Sequence, residues 1–197
     1  MARMSRFFYL SFPKNCFMRK IVLDLAITLD GFIEGPNGEI DWCIMDDDMK
    51  FGEFLDSIGT IFYGRVSYDM WGNYQPEASA TDAEKQLWQA VHAKEKFVFS
   101  HSAEDDGKAT FISGNIPEKV KEIKNMPGKD IWLYGGAGLI TTFIDLGLID
   151  VYRLSVHPTV LGAGKPLFEN MKERINLKLI DTKLFRSGVV QLIYEPS

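Results

Sequence analysis

The sequence predicts one α/β domain: a mostly parallel sheet covered by helices on both faces, with an antiparallel hairpin at its C-terminal end. Three observations carry this. Short, apolar, β-rich runs alternate with helical runs from Lys20 to Val156, the pattern of a parallel sheet whose crossovers are helices. Two of the strands run straight into glycine, at Tyr63-Gly64 and Tyr134-Gly135. The tail NLKLIDTKLFRSGVVQLIYE alternates in polarity with Ser187-Gly188 at its centre, which reads as a hairpin.

Each element has its own reason. Lys20 to Thr28 is apolar and β-rich, so it reads as a buried strand. LDGFIEGPNGEIDW is dense in Gly, Pro, Asn and Asp and reads as a long loop. Met45, Met49, Phe51, Phe54, Leu55 and Ile58 recur at roughly helical spacing, Thr60 to Tyr63 is a strand, and Val66 to Trp71 is a short helix. Thr81 to Ala93 is a stronger helix: Thr81 can cap it, Glu84 stands three residues on, and Leu87, Trp88 and Val91 share a face. Lys96 to Ser100 and Ala109 to Ile112 read as strands, and Ile116 to Asn125 as an amphipathic helix stopped before Pro127-Gly128. Asp130 to Tyr134 is a strand, Gly135 to Gly138 a turn, Leu139 to Leu146 a helix ended by Gly147, and Val151 to Val156 a strand.

Composition bounds the function. The chain has 197 residues, 46% hydrophobic and 25% charged, which suits one globular core and excludes disorder or a coiled coil. The net charge of −5 argues against nucleic acid as a partner, since a phosphate-backbone binder carries a basic excess. No apolar run is long enough to span a membrane: Ile131 to Ile149 is broken by Gly135, Gly136, Gly138 and Asp145. Two cysteines, Cys16 and Cys43, cannot build a disulfide framework or a four-cysteine zinc site. They fit a reduced, cytoplasmic setting. His92, His101 and His157 are scattered, so no metal site is expected. Residues 1–17 read as an N-terminal extension outside the fold, with the domain running over 18–197; Met18 opens MRKIVLDLAI like an ordinary start.

Three places could carry chemistry. In IWLYGGAGLITTFIDLGL a strand, a glycine turn and a helix N-terminus follow one another. Glycine allows close backbone approach and the helix start offers free N–H groups, which suits a pyrophosphate; a tight turn without a ligand is the competing reading. In IFYGRVSYDMW, Arg65 and Ser67 follow a strand end and suit an anionic group, against the alternative of an Arg65–Asp69 surface pair. The cluster Asp46, Asp47, Asp48 follows Trp42. Its carboxylates suit a helix start; alternatively one of them points into an apolar pocket beside Trp42 and Phe51, where desolvation would let it assist proton transfer. Asp47 stands four residues before Phe51, so the two can share a helix face.

These residues converge on a family. TLDGFI, the Trp42 loop, FYGRVSY, YGGAGLITTFIDLGLID and VHPTVLGAGKPLF resemble, in order, the dihydrofolate reductase fold. The closer resemblance is to the reductase domain of bacterial riboflavin biosynthesis, the RibD C-terminal type, and its stand-alone members. The resemblance implies a three-layer sandwich and NADPH-dependent reduction of a small heterocyclic substrate, similar to 5-amino-6-(5-phosphoribosylamino)uracil or dihydrofolate. It further implies that Gly135, Gly136, Ala137, Gly138 and Leu139 hold the pyrophosphate, with a cis Gly135–Gly136 bond. Gly64, Arg65, Val66, Ser67 and Ser100 would take the adenosine side, and Ala26 and Ile33 would frame the nicotinamide. Asp47 would be the catalytic acid, Trp42 and Phe51 substrate-pocket residues, and the first long loop a lid. A homodimer is expected, since the relatives commonly form one and the terminal hairpin carries apolar positions. The chain departs from the pattern in three ways: the basic residues that grip a folate tail are not evident, the early helix offers only Lys50 where phosphoribosyl reductases look for Arg, and no H-x-E…P-C-x-x-C deaminase pattern is present. A non-catalytic nucleotide-binding or regulatory module on the same fold is the alternative reading.

Overall fold

A computed structural model describes residues 18–102 and 106–197; the expectation for residues 1–17, Cys16 included, lies outside them. Among the described residues, ten strands and five α-helices follow in chain order: β1 (Ile21–Thr28), β2 (Phe32–Glu34), α1 (Phe51–Ser57), β3 (Ile58–Gly64), α2 (Arg65–Ser67), α3 (Asp82–His92), β4 (Glu95–Phe99), β5 (Thr110–Ile112), α4 (Ile116–Lys124), β6 (Asp130–Gly135), α5 (Ala137–Asp145), β7 (Val151–His157), β8 (Lys165–Pro166), β9 (Leu177–Leu184) and β10 (Val190–Pro196). Eight strands form one sheet in the order β5-β4-β3-β6-β1-β7-β10-β9. From β5 to β7 every neighbouring pair is parallel, and β10 pairs antiparallel with both β7 and β9. The fold is the mostly parallel three-layer sandwich with an antiparallel C-terminal hairpin that the sequence predicts.

Strand alternation divides the core in two. On one face, Ile21, Leu23, Phe62, Ile131 and Leu133 meet Val120 and Ile123 of α4 and Ile140 and Phe143 of α5. Phe143 meets Phe62 and Phe99 edge-on, with centroids 5.9 and 5.2 Å apart, and burying such a ring contributes about 2–3 kcal/mol. On the other face, Val22, Ile61, Tyr63, Val98 and Trp132 meet Phe54 and Leu55 of α1 and Val91 of α3. Thr81 caps α3 as expected, its side chain accepting from the Glu84 N–H at 3.2 Å.

The first long loop differs from its sequence reading. It contains β2, which pairs with β8, and the two motifs flanking these strands are tied together. The Asp30 carboxylate accepts from the Gly162 N–H at 2.8 Å, and the Leu167 N–H donates to the Gly31 carbonyl at 2.9 Å. A side chain at Gly164 would meet the Glu34 carbonyl oxygen at 2.2 Å, so glycine is required for this approach. TLDG and VLGAG thus form one clasp holding the loop against the end of the sheet. No helix among the described residues is long and apolar enough to cross a membrane.

Candidate active site

Parallel strands deliver their C-terminal ends to one edge, and ligands bind there in open α/β sheets. Here β3, β4 and β6 bring three predicted segments together. Tyr63 is in register with Gly135, and Gly64 with Phe99, the residue before Ser100. A side chain at Gly64 would stand 3.4 Å from Gly136 N and Gly135 O, and one at Gly136 would stand 3.1 Å from Ser67 Oγ. The Gly135–Gly136 peptide is cis, as the resemblance implies. The first intrahelical bonds of α5 run from Leu139 and Ile140 N–H to the Gly136 carbonyl. The N–H groups of Ala137 and Gly138 belong to the first turn, where a helix presents donors to an anion. Arg65 lies on this edge; its Nε donates to both Asp69 carboxylate oxygens at 2.9 Å, and its guanidinium lies 5.7 Å from the Phe111 ring centroid. Val66 is exposed, and the N–H of Ser102 donates to Ser100 Oγ.

Beside this edge a cavity of about 490 Å³ opens on the face covered by α1 and α3. Gly136 and Ser67 line its rim, and Ala26, Ile33, Trp42 and Phe51 line it as well. All four tryptophans of the chain, Trp42, Trp71, Trp88 and Trp132, border it, together with Tyr134. Among the expected residues, Gly64, Arg65, Val66, Ser100, Gly135, Ala137, Gly138 and Leu139 stand outside the cavity lining, on the adjoining strand ends and helix starts.

Asp47 does not point into this cavity. It is exposed and absent from the lining. The reason is local: Asp47–Met49 is a 3₁₀ turn, and Lys50 at φ 51° breaks the chain direction before α1 begins. Asp47 and Phe51 therefore do not share one helix face. Its neighbours serve the hairpin, with Asp46 accepting from the Ser187 N–H and Asp48 from the Arg186 N–H, each at 3.2 Å.

The carboxyl that does face the cavity is Asp24, in the middle of β1. Its side chain is 6% exposed and forms an ion pair with Arg153 of β7, Nε to Oδ1 3.4 Å. Burial pushes the Asp24 carboxyl up to about 6, against the opposing pull of Arg153. Arg153 stacks on Phe54, 4.7 Å from the ring centroid. His157, at the end of β7, is 1% exposed, and burial lowers its pKa against the opposing influence of Asp46. Its Nδ1 accepts the Ile44 N–H at 3.2 Å and its ring meets Trp42 edge-on, so the loop carrying Trp42, Cys43 and Ile44 is latched to the sheet. Burial raises the Cys43 thiol, which leaves it protonated and weakly nucleophilic at neutral pH. Asp24 and Arg153 were legible as charged residues inside the apolar runs IVLDLAIT and VYRLSVH, though not as a pair.

The sequence profile of the RibD C-terminal domain matches residues 19–191. The chain belongs to the RibD C-terminal domain family. Among its relatives, the uncharacterized protein YyaP of Bacillus subtilis (strain 168) is 61% identical over 181 residues, 91% of this chain and 96% of that protein. Solved structures share the fold. A putative riboflavin biosynthesis protein from Shewanella sp. PV-4 superposes with a TM-score of 0.73 at 20% identity, over 90% of this chain and 99% of that one. Dihydrofolate reductase from Enterococcus faecalis, complexed with NADP(H) and RAB-propyl, gives 0.63 at 14% identity, over 92% and 98%. In this RibD C-terminal domain the five motifs surround one sheet edge and one cavity, and Asp24 and Arg153 join them from the sheet floor.

Proposed function

We propose that this RibD C-terminal domain protein is an NADPH-dependent reductase of a small, flat heterocyclic substrate. The observation that carries the reading is continuity: Gly136 and Ser67, at the glycine corner, are also rim residues of the aromatic cavity. A dinucleotide held at the corner would enter the cavity with its other end. The residues present fit such a group. The corner is tight at Gly136, where a side chain would stand 3.1 Å from Ser67 Oγ, and the α5 N-terminus supplies donors for a pyrophosphate. Arg65 and Ser67 stand at the corner for the adenosine side, and Ala26 and Ile33 border the cavity where the nicotinamide would lie.

When bound, NADPH supplies a hydride; the chain supplies orientation and a dry compartment. Trp42, Phe51 and Trp132 provide flat apolar surface on which a ring can stack, and their bulk excludes water. The net charge of −5 gives an anionic cofactor no long-range help, so the glycine corner and Arg65 must do the holding locally.

The test is titration of the full chain with NADPH and NADH, followed by nucleotide fluorescence, then a panel of pterins, pyrimidines and carbonyl compounds monitored for NADPH oxidation. NADPH binding in preference to NADH, and its loss in Gly136→Val, are expected. Failure of the wild-type chain to bind NADPH would overturn the reading.

A further inference from the structure

The chain between β2 and α1 forms one wall of the cavity. Ile40, Trp42, Cys43, Ile44, Met45 and Met49 of this segment line it. The segment has little regular structure of its own: the 3₁₀ turn Asp47–Met49 lies at its end, and the Cys43 N–H donates to the Ile40 carbonyl at 3.0 Å. Ile40 and Met45 stay exposed although they line the cavity. A segment that buries so little apolar surface opens locally at lower cost than the core.

Its attachments to the rest of the fold are polar. Among the described residues, the hydrogen bonds from residues 40–49 to distant parts of the chain run to His157 and to the hairpin tip. The Ile44 N–H donates to His157 Nδ1 at 3.2 Å, and the Trp42 ring meets the His157 ring edge-on with centroids 5.3 Å apart. Between β9 and β10, the Ser187 and Arg186 N–H groups donate to the Asp46 and Asp48 carboxylates, each at 3.2 Å. This second seam is incompletely bonded, with Asp48 Oδ1 and Ser187 Oγ buried without a hydrogen-bond partner. Opening gives both atoms water, which offsets part of the cost of parting the seam.

The His157 attachment is the one that a proton breaks. A ring nitrogen that accepts an N–H carries no hydrogen, so the neutral ring holds its proton on Nε2; an imidazolium has two donors and no acceptor. His157 is 1% exposed, and burial favours the neutral ring. Asp46, on the same segment, opposes burial. The Cys43 thiol is kept protonated by burial. On β1, Thr28 stands opposite His157, and the Asp30 carboxylate beyond it is taken up by the Thr28 hydroxyl and the Leu161 and Gly162 N–H groups. On β10, Val190 stands opposite Val156. At the hairpin tip, Arg186 is exposed and faces Asp48, Nε to Oδ2 3.7 Å.

We propose that residues 40–49 form a strap across the cavity, held shut while the His157 ring accepts the Ile44 N–H and released when that ring takes up a proton. His157 is then a positioning residue: it sets the place of Trp42 and its neighbours and ties access to the cavity to mild acid. The strap does not depend on what the cavity binds, and the loss of NADPH binding would leave it untouched.

Cys43 reports the strap. Cys16→Ser leaves it as the single thiol of the full chain. Its reaction with 4,4′-dithiodipyridine is followed from about pH 7.5 to about pH 5 and divided, at each pH, by the rate of the same chain unfolded in urea, which removes the intrinsic pH dependence of the thiol. The normalised rate is expected to rise about fivefold or more on acidification, within the roughly thirtyfold that linkage to an ordinary histidine allows at about pH 5. In His157→Gln, whose side-chain oxygen can accept the Ile44 N–H without titrating, the rate is expected to be the same at both ends of the range. Small additions of urea separate the strap from unfolding, because local opening exposes little surface and responds weakly, whereas global unfolding responds steeply. A flat wild-type rate, an undiminished rise in His157→Gln, or a rise that follows global unfolding in urea would overturn the strap.

Discussion

Asp24→Asn isolates the perturbed carboxyl of the cavity. The folded carboxyl stands at about 6 against an ordinary 3.8, with burial as the dominant cause and Arg153 opposing it. The folded state therefore holds the Asp24 proton over a pH range in which the unfolded chain has released it. By linkage, this stabilising contribution is fully present below 3.8 and is lost as pH rises through about 6. Moving a carboxyl by that amount corresponds to about 3 kcal/mol, and most of it, about 2–3 kcal/mol, falls between pH 4 and pH 7.5. Asn at this position does not titrate. The attraction of Arg153 for the ionised carboxylate is already contained in the folded value, so it adds no separate pH dependence. The assay is equilibrium unfolding in urea of the wild-type chain and Asp24→Asn at half-unit pH steps. The difference in unfolding free energy, wild type minus variant, is expected to fall by about 2–3 kcal/mol from pH 4 to pH 7.5. A flat difference would show that Arg153 cancels the effect of burial. A difference that rises with pH would show that Arg153 outweighs burial and would refute the reasoning.

Three further outcomes follow from the same structure. His157 has a lowered pKa and accepts the Ile44 N–H through Nδ1, so its stabilising contribution is present above 6.5 and is lost as pH falls below that value; thermal midpoints between pH 7.5 and pH 5 should fall less in His157→Gln than in the wild type. Phe143→Ala empties a fully buried site between Phe62 and Phe99 and should cost about 3–5 kcal/mol in urea unfolding, whereas Thr81→Ala removes one helix cap and should cost about 1 kcal/mol.

Much of this fold was legible in the chain because its signals are local. The alternation of apolar strands with capped helices, the glycines at two strand ends and the polar–apolar alternation of the tail each sit within a dozen residues. β2 and β8 escaped notice because strands of three and two residues carry no periodicity. The candidate site divides along the same line. The glycine corner at Gly135–Leu139 and the Arg65–Ser67 turn were visible as strand–turn–helix patterns. The placement of Asp47 turned on one backbone angle, the left-handed Lys50, which helical spacing does not reveal.

What the sequence by itself determined is the layered α/β plan, its family and the corner suited to a pyrophosphate, because residue spacing dictates which groups share a face or end a strand. What only the tertiary structure decided is which acid faces the cavity. Asp24 and Arg153 are 129 positions apart and meet because β1 and β7 pair in a particular register. Gln191 joins them only because β10 turns back antiparallel beside β7. The charge of Asp24 is visible in the chain, but its burial, its partner and hence its proton affinity belong to the folded sheet.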